Sequence, residues 1–128
     1  MESRAGRLKR LIRLQEQIKS LHETRHANHL TQAANARADA NDLLDSLNKA
    51  SPLPGLFPEM YNRRIGAAVE LEQRQTHMAE QERVNVATAT ARTKRVQQAW
   101  REAAMIEQRA AEEKEQLEII ERALTTPK

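Results

Sequence analysis

The sequence predicts an all-α protein, an elongated antiparallel two-helix coiled-coil hairpin, and three observations lead there. Of 128 residues, 30% are charged, 2% are aromatic and three are glycine, too little bulk for a globular core. The abundant Ala, Glu, Gln, Arg and Leu are strong helix formers. Three of the four prolines fall in one short stretch, "SPLPGLFPEMY" at residues 51–61, and separate two lengths, residues 3–49 and 59–124, that contain no proline.

The first helix is expected over about residues 3–49, where Gly6 is the one glycine and proline is absent. At 1.5 Å per residue such a helix would be roughly 70 Å long. Its apolar positions begin as Leu8, Leu11, Ile12, Leu14, Ile18 and Leu21, lapse through a polar stretch, and return as Leu30, Ala33, Ala40, Leu44 and Leu47. A Pro-rich turn is expected over 50–58. Ser51, Leu53 and Phe57 each precede a proline, which pushes them out of the α region, and Pro54-Gly55 is a turn dipeptide. Pro58 suits the first position of a helix and Glu59 its positive end. The longer helix is expected over about 59–124, with Gly66 costing about 1 kcal/mol.

A turn of that length sets facing residue numbers to sum to about 108. The pairs are then Leu47 with Tyr61, Leu44 with Ile65, Leu30 with Met78, Ile12 with Val96 and Leu8 with Trp100, within a residue or so. Leu53, Leu56 and Phe57 would cap this seam; an exposed docking contact at the tip is the other reading. The first helix runs out opposite residue 105, so the second overhangs from about residue 106. On that overhang the series Val96, Ala99, Ala103, Ile106, Ala110, Glu113, Leu117, Ile120 and Leu124 keeps coiled-coil spacing with one polar member. Ile106, Ala110, Leu117, Ile120 and Leu124 are therefore candidate partner-binding residues, for another protein or for a homodimer. The competing arrangement is a first helix that slides to cover them.

Charge is distributed unevenly around a formal net of +3. Residues 1–25 carry seven Lys/Arg against three Glu, while 102–128 carry four against seven. At the open end Arg4, Arg7, Lys9, Arg10 and Arg13 come alongside Arg92, Lys94, Arg95 and Arg101, a basic collar suited to phosphates, anionic lipid heads or an acidic protein surface. A solvated face interleaved with glutamate is the plainer reading. No aromatic residues interleave with these bases and no DNA-recognition pattern is present, which argues against nucleic acid.

"HETRHANH" places His22, His26 and His29 on one helical face, and His22 to His26 matches HExxH letter for letter. That motif needs a third ligand and a substrate cleft, which a two-helix rod lacks, so no metal, cofactor or proteolytic activity is expected. The histidines read instead as part of a polar waist with Asn28, Gln32 and Asn35, opposite Gln75, Glu82 and Asn85. No phosphate loop or nucleophile elbow occurs, and the protein is not expected to be an enzyme. The sequence has no cysteine, no apolar run of about 18 residues and no signal-like apolar block, as expected of a cytoplasmic protein, peripheral at most at the inner face of a membrane.

The Leu/Arg-rich opening "RLKRLIRLQEQI", the Gln/Arg/Ala-rich "RVQQAWREAAMIEQRAAEEKEQLEIIERAL" and the midpoint break together resemble the FliJ/YscO family of type III export components, flagellar and injectisome. The likeness covers most of the chain and is compositional. It implies a two-helix stalk like that of rotary ATPases, engaging the export ATPase and the export gate. The chain departs from the family in its Pro-rich turn and polar waist. The alternative is a self-associating coiled-coil adaptor or scaffold whose basic end touches nucleic acid. The first predicts a largely monomeric rod that binds an ATPase; the second, an oligomer that collapses when Leu117 and Ile120 become charged.

Overall fold

The computed structural model describes residues 2–49 and 58–125, and two helices account for nearly all of them. Helix α1 spans Arg4–Asn48 and helix α2 spans Pro58–Thr125. Leu53, Leu56 and Phe57 lie outside the described residues. Local chemistry sets the helix ends. Ser3 caps α1, its Oγ accepting from Gly6 N–H at 3.1 Å and its carbonyl accepting from Arg7 N–H at 3.0 Å. Across the seam, Ala5 N–H donates to Glu107 Oε1 at 3.2 Å, which puts a carboxylate at the positive end of α1. Pro58 opens α2 with Glu59 in its first turn, and Arg122 lies in its last. α1 runs unbroken through its polar stretch.

The two helices pack against each other as an antiparallel hairpin, forming two units. In the central unit, Lys19–Thr88, His22 meets Glu82, His29 meets Gln75 and Arg37 meets Glu72, so numbers rise on α1 as they fall on α2. In the terminal unit, Met1–Ile18 with Ala89–Lys128, Ala5 meets Glu107 and Lys9 meets Trp100 with the same sense.

Burial follows a seven-residue repeat on each helix, which makes each unit a coiled coil. The terminal seam takes Ala5, Leu8, Ile12 and Gln15 from α1, and Ala89, Thr93, Val96, Trp100, Ala103 and Glu107 from α2. The central seam takes His22, His26, His29, Ala33, Ala36, Ala40, Leu43 and Leu47, against Tyr61, Ile65, Ala68, Glu72, Gln75, Ala79, Glu82 and Val86. Among the described residues the buried apolar ones are all alanines: Ala5, Ala33, Ala36, Ala40, Ala79, Ala89 and Ala103. Small side chains let the helices pack backbone to backbone, while the bulkier seam residues such as Leu8, Ile12, Leu43, Leu47 and Trp100 are only half-buried. Thr93 is buried with them, its hydroxyl donating to Ala89 O at 2.8 Å. Gln15 Oε1 is enclosed without a hydrogen-bond partner.

This alanine seam corrects part of the apolar pairing expected from sequence. Leu47 with Tyr61, Ile12 with Val96 and Leu8 with Trp100 are all seam residues. Leu30, Met78 and Leu44 instead stand exposed, because the neighbouring His29, Ala79 and Leu43 hold the seam positions. On α2 the seam proceeds from Val96 to Trp100, Ala103 and Glu107, so Ile106 falls one position outside it. No helix among the described residues is long and apolar enough to cross a membrane.

Candidate partner-binding surface

Glu107 marks where the terminal seam ends. Its carboxylate bonds the first turn of α1, and from Gln108 to Thr125 every α2 residue is exposed. Leu117 is 61% and Leu124 81% exposed, against 6% for the seam residue Ala103. Ile106 and Ile120 are likewise open, and Ala110 lies between them on the same face. Met105 and Ile119 broaden the apolar surface. The stripe holds because α2 stays helical to Thr125, so its steps of three and four project to one side.

The same unit carries the bases. Arg4, Arg7, Lys9, Arg10, Arg13, Arg92 and Arg95 are all exposed. Arg10 forms an ion pair with Glu2. Lys9 holds its ammonium 5.7 Å from the ring centre of Trp100, a cation–π contact that covers the one tryptophan. On α1 the bases occupy several faces and surround the helix rather than forming one stripe.

A search for relatives gives no lead of its own. No family model matches the chain, and no curated protein or solved structure does either. The geometry therefore carries the functional reading.

A second apolar stripe on α1 escaped the sequence reading, which took its N-terminal leucines as one band. The seam uses Ala5, Leu8, Ile12 and Gln15, while Arg4, Arg7, Leu11, Leu14 and Ile18 form a separate row at the same spacing. Leu11 and Leu14 are exposed in that row. Two overlapping rows of steps three and four were the signal present in the sequence.

The histidines belong to the central unit and face the seam. His22 Nδ1 lies 2.6 Å from Glu82 Oε2, and His29 Nδ1 lies 2.6 Å from Gln75 Oε1. The hydrogen bond from His22 holds the Glu82 carboxyl below the usual carboxylate range, aided by Asn85. Glu80 is also held low, by its hydrogen bonds from Arg83 on the same helix. Among the described residues no three His, Asp or Glu side chains converge as metal ligands would. His77 Nε2 lies 3.2 Å from Gln81 Nε2 on the same helix.

Proposed function

We propose that this chain is a non-catalytic coupling protein of a flagellar-type, type III export apparatus, working in the cytoplasm and linking the export ATPase to the export gate through helix–helix contacts. The observation that carries the reading is the apolar stripe of Ile106, Ala110, Leu117, Ile120 and Leu124, exposed and uncovered by any of the described residues, and set in the same unit as the basic residues. Apolar steps of three and four on a helix are what a partner's groove reads, and flanking charge steers approach and fixes register. The compositional resemblance of the sequence to export stalk proteins is what suggests the export ATPase and gate as partners.

The test is co-elution of the purified chain with the export ATPase of the same organism, repeated with the L117D/I120D variant. The proposal expects a complex with the native chain and none with the variant. Absence of a complex with a fully helical native chain sinks it.

A further inference from the structure

We propose that, without its export partner, the chain covers its C-terminal stripe with the N-terminal stripe of a second copy, forming a two-fold dimer through the terminal unit. Two complementary surfaces lie in that unit. The row on α2 is Ala110, Glu113, Leu117, Ile120 and Leu124; the row on α1 is Arg4, Arg7, Leu11, Leu14 and Ile18. Both advance by steps of three, four, three and four.

Setting Leu117 beside Leu11, with the helices pointing the same way, brings Ile120 beside Leu14 and Leu124 beside Ile18. The single acid of one row, Glu113, then meets the Arg7 guanidinium, and Ala110 meets Arg4. At the edge Arg10 falls beside Glu121, in the flanking position where charge pairs form in parallel coiled coils. Apolar thus meets apolar, acid meets base, and no two like charges face each other.

The chain cannot make this contact with itself. Ala5 is bonded to Glu107, and Lys9 lies over Trp100, so the α1 row runs beside α2 residues that precede the stripe. Leu124 stands roughly 25 Å further along the α2 axis than Glu107. Pairing two C-terminal stripes directly is disfavoured by charge, since five glutamates and three bases lie between Glu107 and Leu124. In a parallel pair of that kind Glu113 would also face its own copy. A two-fold arrangement makes the mixed contact twice, once per copy, and so closes without leaving a stripe open.

The same α2 stripe is assigned above to the export partner, so self-pairing and partner binding exclude each other. The dimer would be the reserve form, opened by the partner. Its test uses this protein alone, and its failure leaves the coupling role standing.

The chain has no cysteine, which makes cross-linking direct. L14C and I120C proteins are prepared separately, then mixed and oxidised. The proposal expects a disulfide dimer from the mixture and none from either protein alone. Charge reversal supplies the second measurement, by sedimentation across a wide concentration range. R7E and E113R each weaken the dimer by about tenfold or more, and the R7E/E113R chain recovers native affinity. A native chain that stays monomeric at every concentration overturns the proposal. So does a dimer that cross-links through I120C alone or is indifferent to both reversals.

Discussion

His22 and Glu82 face each other across the central seam, Nδ1 to Oε2 at 2.6 Å, and both side chains are largely covered. The contact belongs to a row of polar seam positions in which His26 and His29 follow His22 on α1, while Gln75 and Glu72 continue from Glu82 on α2. Polar residues at such positions weaken a coiled coil and fix its register. The waist therefore sets which residues of the two helices meet.

The Glu82 carboxyl has a lowered pKa in the fold, chiefly from the His22 hydrogen bond. Its contribution to stability is present above the unfolded-state value and is lost as pH falls through the folded one. Thermal melts followed by circular dichroism should show Tm dropping as pH descends through and below the carboxylate range. The E82Q variant should show a shallower drop. A residual slope from Glu80, held low by Arg83, should remain. Equal slopes in the two proteins would contradict this account.

His29 and Gln75 satisfy each other at 2.6 Å. H29L alone strands the Gln75 amide oxygen in the seam and should cost about 1–3 kcal/mol. The H29L/Q75L chain removes both polar groups and should be near neutral or more stable than the native protein. Urea unfolding of the three proteins checks the order.

Ala36 is 2% exposed in the central seam. A36L should force the helices apart and cost about 1–3 kcal/mol, despite the higher hydrophobicity of leucine. A stabilised A36L protein would show that the close approach of the helices is not set by the alanines.

Gly66 sits within α2, and a Cβ added there meets nothing within 4 Å. G66A should therefore stabilise the protein by about 0.5–1 kcal/mol. The gain is read as a rise in the urea midpoint with an unchanged slope.

Leu117 and Ile120 are exposed and lie past the end of the seam. L117D/I120D should leave helical content unchanged and stability within about 0.5 kcal/mol per site, while abolishing both ATPase binding and self-pairing. Loss of helicity would mean that these residues pack within the chain.

Much of this fold was legible because helix punctuation is local. Pro58 at a first helical position and the prolines after Ser51, Leu53 and Phe57 act through their own backbone chemistry, whatever packs nearby. The open stripe from Ile106 to Leu124 was legible too, from spacing and from the shorter first helix. The α1 stripe of Leu11, Leu14 and Ile18 was not, because it interleaves with the seam row and both rows have the same period.

By itself, then, the sequence determined two helices, the place of the break between them, an excess of apolar helix on α2, and a waist of His22, His26 and His29 with Gln75 and Glu82, although Asn28, Gln32, Asn35 and Asn85, expected in that waist, are exposed. Leu8 and Ile12 face α2 as their pairing with Trp100 and Val96 led one to expect, and tertiary structure decided that Arg4, Arg7, Leu11 and Leu14 form a second row outside the seam. It also placed His29, Ala79 and Leu43 in the seam and left the adjacent Leu30, Met78 and Leu44 exposed. The physical reason is that a helix row has no preferred partner in isolation. Close packing of two backbones rewards small residues in register along the seam, and that sum over both helices exists only once they meet.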